Sequence, residues 1–151
     1  MNADTGSAQN HAASLQQVVN FFETLTPASL KNIAQIYDAD AFFKDPFNEV
    51  RGLAPITRIF EHMFSQVANP RFVVTLQMAQ GHDAFLTWNF LFRMKRDSAD
   101  EHCIRGATHL RFNSCGLVDL HRDYWDAAEE LYEKLPLLGA LMRLLKRAAR
   151  K

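Results

Sequence analysis

Asp45 stands directly before Pro46 at the end of a short apolar run, Ala41-Phe42-Phe43, and a carboxylate so placed can accept a proton from whatever lies beyond the strand end. Aromatic side chains favour a pleated strand, and Pro46 cannot donate to a ladder, so the strand must end there. The same spacing has a structural use, because Asp before Pro is a turn former whose carboxylate bonds nearby amides. A second polar set lies further on. His121 and Asp123 are two residues apart in a stretch that alternates like a strand, and so face the same side as Trp125. With Asp45 they would form a polar patch in an apolar cavity, His121 moving a proton and Asp123 orienting the ring. The competing use is structural: Arg122, Asp123 and Arg105 or Arg111 forming cross-strand ion pairs on an exposed or interface face. The six histidines show neither paired helical ligand spacing nor a neighbouring cysteine pair, so no metal is expected, and nothing calls for a cofactor.

These residues need elements to hold them. Ser14 with Gln17 resembles a capping box, and Leu15, Val18, Val19, Phe22 and Leu25 recur at helical spacing, which predicts a first helix from about Leu15 to Leu25. Thr26-Pro27 restarts a helix with Leu30, Ile33, Ala34 and Tyr37 as its buried stripe. After the Asp45 strand, Gly52 and Pro55 lead into a third helix with Ile56, Ile59, Phe60, Met63, Phe64 and Val67 on its apolar face. The pattern then changes to period two. Phe72, Val74, Leu76 and Met78 mark one face of a strand, Leu86, Trp88, Phe90 and Phe92 the next strand, with a hairpin turn at Gly81-His82-Asp83. Ile104, Thr108, Leu110 and Phe112 mark a third, and Asn113 to Gly116 turns into a last strand ending at Trp125. Asp126 with Glu129 then opens a helix, which Pro136 divides from a basic end.

At 151 residues, without internal repeats, one domain is the default. Residues 1–13 are small and polar and read as a disordered lead-in, residues 14–128 as the domain, and residues 129–151 as an amphipathic basic helical extension. Lys plus Arg equal Asp plus Glu at 17 each, so no overall field draws the chain to nucleic acid. Cys103 and Cys115, with no metal spacing and no secretory leader, fit a reduced cytoplasm. No apolar run approaches the roughly 18 residues of a membrane span. From Lys134 to Lys151 the extension carries six basic and no acidic residues, with Leu138, Leu141, Met142 and Leu145 on one stripe. Docking on this domain or a second copy is the first expectation for it, and contact with an anionic membrane surface the second.

Twelve Phe, two Trp and three Tyr can line a cavity with few polar atoms. Phe43, Phe47, Phe60, Met63, Trp88, Phe90, Leu110 and Trp125 are the apolar candidates, with Thr108 and Asp123 as polar ones. Helices over one face of a bent sheet would make an α+β cone, a natural small-molecule pocket.

The segment Tyr37-Asp38-Ala39-Asp40-Ala41 leading to Lys44-Asp45-Pro46-Phe47, the Arg51-Gly52 turn, and the closing Tyr124-Trp125 resemble the nuclear transport factor 2-like superfamily, in its SnoaL-like and ketosteroid-isomerase-like branch. The resemblance spans roughly residues 15–128. It implies a cone-shaped, strongly curved antiparallel sheet with three N-terminal helices on its concave face, and a homodimer paired through the sheet. It also places Asp45 at the general base of the steroid isomerases and Tyr37 at a supporting pocket tyrosine. The catalytic tyrosine, the protonated aspartate and a third-helix tyrosine are replaced by Phe21, Thr108 and Phe60. The loss of an oxyanion donor costs on the order of 3 kcal/mol, so standard steroid isomerisation is not expected. The expectation is a pocket that binds a small apolar ligand with a polar handle, with Asp45, His121 and Tyr37 as the acid/base set. Proton abstraction next to a carbonyl, of isomerase or cyclase type, and a non-catalytic partner-binding module are the alternatives.

Overall fold

In the computed structural model the described residues are 5–96, 99–130, 143 and 147–149. Helix α1 (Thr5–Glu23) is followed by a 3-10 helix (Ala28–Gln35), β1 (Tyr37–Lys44), β2 (Glu49–Arg51), α2 (Leu53–Gln66), β3 (Val67–Gln80), β4 (Asp83–Met94), β5 (Glu101–Phe112), β6 (Val118–Tyr124) and a short α3 (Ala127–Glu130). The class is α+β. A single six-stranded sheet runs in the order β2-β1-β6-β5-β4-β3.

The β3 to β6 meander is antiparallel throughout, as the period-two pattern predicts, but a register shift between Val74 and Leu76 turns Leu76 and Met78 to the exposed face, not the inner face of Phe72 and Val74 that strict alternation gives them. The sheet as a whole is mixed, however, because β1 pairs parallel with β6, placing Phe43 opposite His121. This corrects the expectation of a purely antiparallel sheet. The two strands are separated by most of the chain, and local periodicity carries no record of which distant strand becomes a neighbour. The short β2, paired with β1 through Phe43 and Val50, was hidden by its three-residue length.

Two helix expectations also change. α1 starts at Thr5, not Leu15, so the proposed lead-in is helical from that residue on, and Ser14 is a buried residue inside the helix rather than its cap. His11, equally buried, meets His82 edge-on at 4.6 Å, which ties α1 to the β3–β4 turn. The second helix is a 3-10 segment, with Thr26 and Ser29 exchanging side-chain-to-amide bonds of 2.9 and 3.1 Å at its start. By contrast Asp126 caps α3 as expected, its Oδ1 accepting from the amides of Ala128 and Glu129. The basic extension lies almost wholly outside the described residues.

α2 begins on Gly52 at φ 102° and ψ 159°, a region open essentially to glycine alone, which turns the chain from β2 into the helix. α1 packs against β3, and α2 against β1, β2, β3 and the 3-10 helix. The core between helices and sheet holds Val18, Phe22, Ile56 and Phe60 from the helices against Phe43, Leu86, Trp88, Leu110 and Phe112 from the strands. No helix among the described residues is long and apolar enough to cross a membrane.

Candidate functional site

Sheet register builds the polar part of the interior. Leu86 of β4 sits opposite Thr108 of β5, which sits opposite Asp123 of β6; two residues along, Leu110 faces His121, and His121 faces Phe43 of β1. The period of two thus turns Thr108, Asp123 and His121 to one side. Trp88 pairs with Gly106, and its indole occupies the space a side chain would take: a Cβ at Gly106 would fall 2.4 Å from Trp88 Cη2. A glycine inside a strand often marks such a close approach.

The result is a continuous chain of hydrogen bonds. The Trp88 indole N–H donates to Thr108 Oγ1 at 2.8 Å, and Thr108 donates to Asp123 Oδ1 at 2.6 Å. His121 Nε2 lies 2.7 Å from the same Oδ1, and His121 Nδ1 lies 2.7 Å from the Tyr37 hydroxyl. Burial drives the Tyr37 pKa well above its ordinary 10.0, and the nearby Asp123 charge adds in the same direction. Tyr37 is therefore a neutral O–H. Its hydrogen-bond partner is His121 Nδ1, so the arrangement that leaves no proton stranded has Tyr37 donating to Nδ1 and His121 donating through Nε2 to Asp123. Both bonds to Asp123 go to Oδ1; Oδ2 makes none among the described residues.

This chain ends at a cavity of about 40 Å³. α1 contributes Val18 and Phe22, α2 Phe60, β3 Phe72 and Val74, β4 Leu86 and Trp88, β5 Thr108 and Leu110, and β6 His121 and Asp123. Of the candidates from sequence, Phe60, Trp88, Thr108, Leu110, His121 and Asp123 meet here, and Tyr37 stands one bond behind. Phe43 is buried against His121, with ring centroids 4.6 Å apart, and acts as a wall to the imidazole rather than as lining. Phe90 stacks on Phe72 at 4.6 Å, and Met63 packs on the core from α2. Phe47 is 52% exposed and meets Trp125 edge-on at 5.6 Å, so this pair also stands apart from the cavity.

Asp45 is not among the lining residues. Its Oδ1 accepts from the amides of Phe47 at 2.8 Å and Asn48 at 2.6 Å, and the Asn48 side-chain amide spans both carboxylate oxygens at 3.0 Å. The carboxylate thus builds the β1–β2 turn, the use that Asp-Pro spacing equally allows. On α1 the inward residue is Phe22, one position after Phe21, which lies against it. Sequence reasoning took Val18, Phe22, Phe72, Val74 and Leu86 as core stripes without assigning them to a cavity. Apolar periodicity reports burial and does not separate wall from filling. Gly106, in mid-strand, was the unused signal.

The outward ion pairs expected of the arginines do form, but with other partners: Arg111 bonds Asp119 at 2.8 Å and Arg105 bonds Glu130 at 3.3 Å, leaving Asp123 to the interior. The described residues contain no group of three or more His, Cys, Asp or Glu placed to hold a metal.

The profile of the SnoaL-like domain family matches residues 18–121, which run from the first cavity residue of α1 to His121. The chain belongs to the SnoaL-like domain family. No curated protein matches it. Among solved structures it is similar to an NTF2-like protein of unknown function from Burkholderia pseudomallei K96243, with TM-score 0.68 at 13% identity over 80% of this chain and 93% of that one. A ketosteroid isomerase-like fold from Catenulispora acidiphila DSM 44928, solved in complex with trimethylamine, gives 0.66 at 15% over 78% and 88%. An LEH-like epoxide hydrolase of M. tuberculosis gives 0.65 at 13% over 91% and 97%. At these identities the likeness is one of fold. The SnoaL-like assignment agrees with the order of elements, and no specific activity comes with it.

Proposed function

We propose that this SnoaL-like domain binds a small molecule in the cavity between α1, α2 and the sheet, with Asp123 as the group that accepts a hydrogen bond or proton from it. The observation that carries this reading is the chain from Trp88 through Thr108 and Asp123 to His121 and Tyr37, which fixes one oxygen of a carboxylate that lines an otherwise mostly apolar space and leaves the other without a partner among the described residues. Asp123 takes the role the family resemblance gave to Asp45; Tyr37 keeps its supporting place, while His121 and Asp123 exchange the roles expected of them, the imidazole now holding the carboxylate. Enolisation next to a carbonyl is less well served. It needs a donor for the developing oxyanion, and the protons of Thr108, Trp88 and His121 are already committed within the chain. Binding is therefore the leading reading, and isomerase or cyclase chemistry the lesser one.

Titration of the labelled protein with small neutral and charged fragments tests this. The expected result is NMR shifts at the Trp88 indole N–H and the amides of Thr108, His121 and Asp123, abolished when Val74→Phe fills the space. Fragments that perturb only other surfaces would overturn it.

A second copy of the chain is the proposed protein partner. Val73, Leu76, Met78, Phe85 and Tyr124 are each at least 40% exposed, and they belong to the outer face of β3, β4 and β6. Such a set of exposed apolar side chains on one sheet suits a self-complementary interface. Sedimentation should show a dimer that Leu76→Glu converts to monomer with the far-ultraviolet spectrum unchanged; a monomeric wild type at micromolar concentration would rule the interface out.

A further inference from the structure

We propose that the cavity's ligand is a small protonated amine, held through its N–H by Asp123 Oδ2 among the rings of Phe22, Phe60, Phe72 and Trp88. This rests on the cavity reading above and names the class of molecule. Charge comes first. The lining contains one carboxylate and neither Lys nor Arg, and His121 serves Asp123 as an Nε2–H donor whose other nitrogen accepts from Tyr37. A half-buried carboxylate whose protein partners are neutral donors alone is best completed by a cation.

Hydrogen-bond supply gives the same answer. Thr108 spends its proton on Asp123 and Trp88 spends its own on Thr108. A carbonyl or carboxylate entering the space would find no free donor, and an anion would also face Asp123. Oδ2 is an acceptor, so the ligand must bring the proton. The rest of the lining favours a cation over a neutral donor of the same size. Four of the eleven lining residues are aromatic, and the electron-rich faces of such rings attract alkylated ammonium ions. Size sets a limit: a space of about 40 Å³ favours the smallest alkylammonium ions, and a ring system would need Phe22 or Phe60 to move.

The full chain would be titrated at neutral pH with dimethylammonium and trimethylammonium chloride, with isopropanol and tert-butanol as neutral molecules of similar size, and with acetate. The Trp88 indole N–H is the reporter. The expected order is amine over alcohol by about tenfold or more, with acetate inert. Asp123→Asn keeps an Oδ1 acceptor for Thr108 and His121 but replaces the charged Oδ2 acceptor with an NH2 donor, so it should lower amine affinity at least tenfold, while the alcohols, whose hydroxyl can accept as well as donate, should change by less than about threefold. Should that variant not fold, Val74→Phe should lose amines and alcohols together. Alcohols binding as tightly as amines, or amine binding indifferent to Asp123→Asn, would overturn the amine assignment while leaving the cavity as a binding site. No response to any of the five compounds would overturn both.

Discussion

Gly106→Ala is expected to destabilise the protein by about 3 kcal/mol, the upper part of the range for overpacking a filled interior. The new methyl would sit 2.4 Å from Cη2 and 2.5 Å from Cζ2 of Trp88, distances no Cβ tolerates. Backbone strain plays no part, since Gly106 is not among the positive-φ glycines. Relief must come from the indole. Trp88 is only 8% exposed, and turning it away would break its bond to Thr108 and leave a buried N–H unpaired, itself a cost of roughly 1–3 kcal/mol. Without that bond the Thr108 hydroxyl, which donates to Asp123, loses the group that fixes its rotamer, so damage on β4 and β5 reaches the carboxylate on β6. Urea denaturation followed by tryptophan fluorescence should show a lower midpoint at constant slope, and the indole N–H resonance should move. Gly81→Asn is the control: its φ of 59° suits Asn, and nothing lies within 4 Å of a Cβ there. A Gly106→Ala protein as stable as wild type would mean that the indole does not lie where the chain of hydrogen bonds requires it.

The contrast between Asp45 and Asp123 shows what sequence could and could not reveal. Both are acidic residues near strand ends among aromatics, and the Asp-Pro dipeptide drew attention to the first. Which of them meets the cavity depends on what else competes for the carboxylate. Asn48, three residues on, supplies backbone and side-chain donors that engage Asp45 locally, and such a local contest is decided by the turn's backbone angles. Asp123 has no turn amides of this kind beside it; His121, two residues back on the same strand face, and Thr108 on the next strand engage it instead. Its partners Thr108 and His121 were legible as inward positions of their strands, because alternation fixes a face. That they converge depends on the β5–β6 register, which the Asn113 to Gly116 turn sets: Asn113 Oδ1 accepts from the amides of Cys115 and Leu117 at 2.9 and 3.0 Å. The meander and α2 were readable for the same reason of periodicity. The parallel placement of β1 beside β6 was not, although it puts Phe43 against the imidazole and brings Tyr37 within reach of it.

Alkaline conditions should unfold this protein through Tyr37. Its pKa is raised in the folded state, first by burial and then by the Asp123 charge, so above pH 10 the folded chain keeps a proton that the unfolded chain releases. The stabilisation this residue confers is complete below pH 10 and declines as the pH climbs towards the folded value, at up to about 1.4 kcal/mol per pH unit for one proton. Tyr37→Phe removes that dependence. At neutral pH the variant should lose roughly 1–3 kcal/mol, because His121 Nδ1, in a residue 4% exposed, loses its donor without access to water. The two effects have opposite consequences at high pH, where wild type must surrender the hydroxyl proton to ionise and the variant has none to lose. Their stability curves should therefore converge between pH 10 and 12. Absorbance at the tyrosinate band gives a second readout: one of the three tyrosines should ionise only together with the loss of ellipticity, and that coupled step should vanish in Tyr37→Phe. Parallel stability curves for the two proteins through this range would show that the hydroxyl is not held neutral by the fold, and would remove the basis for assigning the His121 tautomer that presents Nε2–H to Asp123.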